Sequence, residues 1–154
     1  MSDLQTNLPP SPLNLQGKKG LILGIANDHS IAWGCARAAH LLGADIVATC
    51  LNDKARTYVE PLTKPLGIHL VNCDVENPQA LSELVETAIG HLGHLDFVIH
   101  SIAWAPLEDL HAKVVDTSSA GFSRAMEVSC HSFASLAKLC APHMPQGGSL
   151  ITMS

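Results

Sequence analysis

Short apolar runs alternate with helix-length segments along the chain, and this alternation limits the fold more than any other feature. "GLILGI" (20–25) is followed by "SIAWGCARAAHLLG" (30–43), which has helical composition and is closed by Gly43 just past the last turn. The apolar "ADIVATC" (44–50) comes next, so the first unit reads strand, helix, strand. "NDKARTYVEPLTKPLG" (52–67) predicts a short helix opened by Asn52 and disturbed at Pro61 and Pro65, since proline lacks an N–H and clashes with the preceding turn. "IHLVNCDV" (68–75) predicts a third strand. "NPQALSELVETAIGHLG" (77–93) predicts a helix with Asn77 as N-cap and Pro78 at its first position. "LDFVIHSIA" (95–103) gives a fourth strand and "SLITMS" (149–154) a fifth. Between them Phe122, Met126, Cys130, Phe133, Ala137 and Cys140 recur at spacings of three and four, the mark of one long amphipathic helix.

Strands that alternate with helices through right-handed crossovers give an α/β fold, an open, doubly wound parallel sheet with the expected order 3-2-1-4-5. The chain has 154 residues, enough for one core, and is 47% hydrophobic but only 4% aromatic, so that core must be aliphatic and alanine-rich. Residues 1–16 carry three prolines and little charge and are expected to be a flexible extension, with structure beginning at Gly17.

The formal charge of −5 and the lack of any basic run beyond Lys18-Lys19 argue against nucleic acid or an anionic membrane as partner. No stretch approaches the roughly 18 apolar residues of a membrane span, and the start lacks the charged and apolar regions of a signal peptide. Five cysteines without C-x-x-C spacing, mostly within apolar runs, read as buried thiols in a reducing compartment. A cytoplasmic protein is the expectation.

Three strand ends carry residues suited to a nucleotide. In "GIANDHSIAWG" (24–34), Gly24 ends the first strand, where the missing side chain lets the backbone approach a ligand. Ser30 can cap the helix or offer its hydroxyl to a phosphate oxygen, and Ala32 and Gly34 keep the helix close to the sheet. The G-x-G-x-x-G fingerprint is absent, so alone the turn is weak evidence. Asp74 stands at the end of strand three, either as acceptor for an adenine amino group, with Val75 packed on the ring, or as an Asx turn. Ser101 and Ala103 are small residues at the switch point after strand four.

The ordered set G-I-A-N-D-H-S-I-A-W-G, C-D-V, H-S-I-A-W-A-P, M-E-V-S-C-H-S-F and L-I-T-M-S resembles the bacterial NAD(P)H-dependent enoyl-acyl-carrier-protein reductases, a divergent branch of the short-chain dehydrogenases. The likeness runs from about Leu15 to Ser154 and corresponds to a little over half of a family member, so residues 17–154 are expected to form a partial Rossmann dinucleotide-binding domain. The resemblance implies that Gly24, Ser30 and Ile31 contact the pyrophosphate and adenosine side, Asp74 and Val75 the adenine, and Ser101, Ile102 and Ala103 the nicotinamide half. It further implies that Ala105 lines the acyl substrate. Leu51, by its position after strand two, faces the adenine ribose. NADH is the expected cofactor because no arginine is near for a 2′-phosphate, with NADPH left open; Asp53 lies two residues beyond Leu51.

The implied reaction is hydride transfer to a 2-enoyl thioester carried on acyl carrier protein. The family's tyrosine donor, whose help to the developing oxyanion is worth about 3 to 4 kcal/mol, and its lysine seven residues later both fall after the fifth strand. No catalytic residue is therefore assigned, and the 154 residues alone are expected to be inactive. Tyr58, the only tyrosine, and Lys64 lie on the adenosine side and do not replace that pair. A non-catalytic NAD-binding or partner-subunit remnant is the alternative, and a ketone-reducing short-chain dehydrogenase a third reading, disfavoured because the turn lacks a glycine-rich T-G-x3-G-x-G. His91 and His94 suit the dipole at a helix end better than a metal site, His100 packs beside the crevice, and Ser129 and His131 lack a nucleophile turn. The last helix and strand five are expected to leave an apolar face and a sheet edge open. In the family related faces build a homotetramer, so a homo-oligomer is expected.

Overall fold

The computed structural model describes residues 14–153, so residues 1–13 of the expected N-terminal extension lie outside the described residues, as does Ser154; ordered structure starts before Gly17, because the Leu15 N–H donates to the Leu42 carbonyl at 2.9 Å and its side chain packs on the core under α1. Five parallel strands, β1 (Lys19–Leu23), β2 (Asp45–Cys50), β3 (His69–Asn72), β4 (Phe97–His100) and β5 (Ser149–Thr152), form one sheet in the order β3-β2-β1-β4-β5. The order is the one expected from the alternation. Leu21 pairs with Val47 on one side and Val98 on the other, which sets β1 at the centre.

The helices are α1 (Ile31–Leu41), α2 (Asp53–Thr63), α3 (Pro78–Leu92), α4 (Leu107–His111), α5 (Ser119–Met126) and α6 (Ser132–Cys140). Successive strand residues point to opposite faces, so β1 feeds two cores at once. Ile22 joins Ile46 and Ala48 under Ala32, Ala36 and Ala39 of α1. Leu21 and Leu23 join Leu81, Leu84 and Val85 of α3 and Leu136 and Cys140 of α6. Asn77 caps α3 with its side chain and Asn52 caps α2, as their positions predict.

Four local expectations are corrected. Gly34 does not hold α1 against the sheet: it is exposed, a Cβ there would meet open space, and the contact is made by Ala32, Ala36 and Ala39. Pro61 does not interrupt α2, because it lies two residues before the helix end, where one missing hydrogen bond is tolerated. The disturbance comes instead at a 3-10 turn, Lys64–Leu66, holding Pro65. The long amphipathic helix is split by a π-helical turn, Glu127–His131, whose wider turn rotates the buried face. Val128, Ser132, Leu136 and Cys140 are buried, whereas Phe122 and Met126 are 61% and 45% exposed. Finally, Cys130 is exposed rather than buried. Cys50, Cys73 and Cys140 are buried, and burial pushes the last two thiols up to about 11 and about 12.

Candidate functional site

The carboxyl ends of β1 to β4 lie along one edge of the parallel sheet, the edge where a doubly wound sheet forms its ligand crevice, and at its centre is the β1–α1 turn. Gly24 has φ +99°, and a Cβ there would stand 2.1 Å from the Ser101 carbonyl oxygen. Its N–H donates to Thr49 Oγ1 at 3.2 Å, the Ile25 N–H to the Thr49 carbonyl at 2.9 Å, and the Ser101 N–H to the Leu23 carbonyl at 3.1 Å. The side chain is therefore missing first of all so that the ends of β1, β2 and β4 can close on one another.

Ser30 occupies the N-cap position of α1 with extended backbone, yet its hydroxyl donates to the Asn27 carbonyl at 2.7 Å and does not cap the helix. Of the two roles open to it in the sequence, capping is corrected. The first helical N–H with an acceptor is Gly34, bound to the Ser30 carbonyl at 3.1 Å; those of Ile31, Ala32 and Trp33 have no protein acceptor among the described residues. Three donors at a helix N-terminus suit an anion. Ile31 itself is 62% exposed.

At the end of β2 Leu51 is 54% exposed. The expectation that no arginine stands near is corrected here, because α2 brings Arg56 back to β3. Its Nε donates to Asn72 Oδ1 and its Nη2 to the Leu70 carbonyl, both at 3.0 Å, while Asn72 Nδ2 donates to Asp53 Oδ1 at 2.6 Å. The arginine is near but these donors are spent on the chain's own sheet edge. After β3, Asp74 is exposed and its Oδ1 accepts from the Glu76 N–H at 3.0 Å, an Asx turn; Oδ2 accepts nothing among the described residues. Val75 is 9% exposed and belongs to the core cluster with Cys73 and Leu81.

After β4, Ser101, Ile102 and Ala105 are half-buried and Ala103 is exposed, a strip of small and aliphatic groups along the crevice wall. Behind it lies His100, fully buried. Its Nε2 is 2.8 Å from Ser132 Oγ, and its Nδ1 is 3.3 Å from Thr152 Oγ1. Ser132 Oγ donates its single proton to the Val128 carbonyl at 2.6 Å, so Nε2 must carry the ring hydrogen and Thr152 donates to Nδ1. Burial holds the imidazole below its ordinary pKa. His100 thus ties β4 to α6 and β5. Sequence reasoning missed Ser132 and Thr152; the one signal for Ser132 was a polar residue four positions from Val128, on a face displaced by the π turn.

Other candidates stand away from the crevice. Tyr58 is 62% exposed on α2. His91, in the last turn of α3, stacks on His69 with ring centroids 4.8 Å apart, and His94 Nε2 is 3.3 Å from Asp96. A cavity of about 300 Å³ lined by Lys19, His40, Asp45 and His91 lies at the opposite, amino edge of the sheet, where helices end and present carbonyls. The unpartnered N–H groups are at the other edge. No group of three His, Cys, Asp or Glu that could hold a metal is present among the described residues, and no helix among them is long and apolar enough to cross a membrane.

Residues 24–154 match the model of a family described as enoyl-(acyl carrier protein) reductase. Enoyl-(acyl-carrier-protein) reductase (NADH) 2 of Rhizobium meliloti is 37% identical over 141 residues, which cover 91% of this chain and 53% of that protein. A crystal structure of the Anaplasma phagocytophilum reductase in complex with NAD superposes with a TM-score of 0.86 at 38% identity, covering 91% of this chain and 54% of that one. The NADH-dependent reductase of Aquifex aeolicus gives 0.86 at 37% identity, covering 91% of this chain and 56% of that one. The chain spans about half the length of the curated relatives it matches.

Proposed function

The chain belongs to the enoyl-(acyl carrier protein) reductase family, and from that premise we propose that residues 17–154 form the dinucleotide-holding part of an NADH-dependent enoyl reductase acting on 2-enoyl thioesters carried by acyl carrier protein. The observation that carries this reading is the trio of unpartnered N–H groups on Ile31, Ala32 and Trp33, set beside Gly24 at the mouth of the crevice. Their geometry suits a pyrophosphate without any lysine. The residues flanking them fit the remainder of a dinucleotide. Ser30 and Ile31 border the pyrophosphate, Leu51 offers an apolar surface beside the adenine ribose, and Asp74 Oδ2 remains free to accept from an adenine amino group beside Val75. Ser101, Ile102 and Ala103 are small or aliphatic residues that would border a nicotinamide ring, and Ala105 would line the acyl chain beyond them.

When bound, NADH supplies the hydride that reduces the β-carbon of the enoyl thioester. The role of these residues is to hold and orient, and to keep the β4 wall rigid through His100. Proton donation is assigned to none of them. The single tyrosine of the sequence, Tyr58, sits on α2 away from the β4 wall. NADH is favoured over NADPH because Arg56, the arginine nearest the ribose edge, spends Nε and Nη2 on Asn72 and Leu70. A self-associated state of the chain fits the exposed Phe122, Met126 and Ile151.

Titration of the 154-residue protein with NADH is expected to show saturable binding and no oxidation of NADH by crotonyl thioester. Binding with no turnover also describes the alternative, a non-catalytic NAD-binding subunit, so a second titration in the presence of acyl carrier protein separates them: only the reductase reading expects the carrier to associate. An absence of binding at millimolar NADH rejects both.

A further inference from the structure

Two edges of the crevice that are far apart in sequence meet at one side chain. Arg124, on α5, reaches the turn after β3 and forms a two-pronged ion pair with Glu76, Nε to Oε1 at 2.7 Å and Nη2 to Oε2 at 2.9 Å. The same guanidinium lies over the ring of Trp104, 4.2 Å from its centroid. Trp104 belongs to the segment after β4, and its own backbone is held from the other side: its N–H donates to Ser129 Oγ at 3.0 Å, and that hydroxyl donates back to the Trp104 carbonyl at 3.2 Å. Ser129 sits in the π-helical turn, the irregular stretch that rotates α6 relative to α5. Arginine suits this place because its planar fork can bond a carboxylate in its plane while stacking an aromatic ring on its face, which a lysine cannot do.

We infer that Arg124 is a positioning residue that clasps the 74–76 turn to the 101–105 segment, so that the adenine-side and nicotinamide-side edges of the crevice are held at the separation a dinucleotide needs. This rests on the nucleotide-binding reading proposed above. Glu76 follows Asp74 by two residues and receives no other side-chain hydrogen bond among the described residues, so the clasp acts directly on the turn that bears the adenine acceptor. Neither Arg124 nor Glu76 faces an apolar core; they are 55% and 36% exposed. A pair this exposed adds little to folding. Its effect falls on the relative placement of two loops, and a ligand that must span both feels it where a ligand touching one does not.

The test uses the 154-residue protein with NADH and AMP as probes. Arg124→Gln is expected to weaken NADH about five- to tenfold, the combined scale of an exposed ion pair and a cation–π contact, while AMP affinity and the melting midpoint stay where they are. Glu76→Gln should weaken NADH by a smaller factor. The double variant Glu76→Gln/Arg124→Gln should be no weaker than Arg124→Gln alone, because the two side chains form one unit. NADH affinity unchanged in Arg124→Gln overturns the clasp, as do multiplicative losses in the double variant or an equal loss of AMP and NADH. Wild-type protein that binds neither probe overturns the nucleotide-binding reading itself, a result distinct from any produced by the variants.

Discussion

At the β1–α1 turn the crevice is shaped by backbone, whereas between β4 and α6 it is shaped by side chains. The first region turns on a single residue without a Cβ, Gly24, through which the ends of three strands close. The second depends on His100, Ser132 and Thr152, contributed by β4, α6 and β5 and joined by hydrogen bonds of 2.8 and 3.3 Å. A backbone device needs one special residue at one position. A side-chain device needs several ordinary residues in matching places, and each is unremarked until the fold brings it to its partners.

The contrast can be broken at its strongest point first. Gly24→Ala places a methyl group 2.1 Å from the Ser101 carbonyl in a conformation, φ +99°, that L side chains rarely adopt. The expected loss is about 3 kcal/mol or more in urea unfolding, together with NADH binding. A loss under about 1 kcal/mol would mean that the strand ends adjust freely and that the turn is not set by backbone.

His100→Ala tests the other region. It opens a space in the core and removes the acceptor of Thr152, for an expected cost of about 2 to 3 kcal/mol. The same residue gives a pH signature. Because burial depresses the folded pKa below the ordinary 6.5, the unfolded chain takes up the proton first as the pH falls. The contribution of His100 is therefore complete above about pH 6.5 and is lost below it, by up to about 1.4 kcal/mol per pH unit, until the folded pKa is reached. His69, held low by burial and by the neighbouring His91, adds a slope of the same sign. His100→Ala should flatten the dependence without abolishing it, and an unchanged slope would remove His100 from the account.

The smallest effects sharpen the distinction between capping residues that look alike in sequence. Asn52 and Asn77 accept N–H bonds from α2 and α3 at 3.0 Å, and each change to alanine should cost about 1 kcal/mol. Ser30→Ala should cost less, under about 0.5 kcal/mol, because its hydroxyl serves a turn carbonyl and not the helix. Equal losses at all three positions would contradict the geometry at Ser30.

Much of the fold was legible because its signals are local. The continuous apolar run of β1, buried on both faces, and the helical composition of the segment that becomes α1 are read directly from neighbouring residues, and the strand order follows from right-handed crossovers. The face of α5 and α6 was misread for a physical reason. A helical period counted across Glu127–His131 assumes 3.6 residues per turn, and the π turn breaks that assumption. Gly24, Asp74 and the strip from Ser101 to Ala103 were placed along one edge from sequence, since strand ends in a parallel sheet fall together. Arg56 was missed as a neighbour of the carboxyl ends of β2 and β3 because it lies on a helix, and only packing of α2 on β3 returns it there.

The sequence by itself determined the sheet, its order, the caps at Asn52 and Asn77, and the one glycine on which the crevice turns, all matters of local conformation and of apolar periodicity. The tertiary structure alone decided what the polar side chains do. It chose the tautomer of His100, turned Ser30 away from its helix, spent Arg56 on β3 and set Arg124 between Glu76 and Trp104. Hydrogen bonds and ion pairs act over about 3 Å, and residues separated by dozens of positions come within that range only once the apolar core has fixed where each element lies.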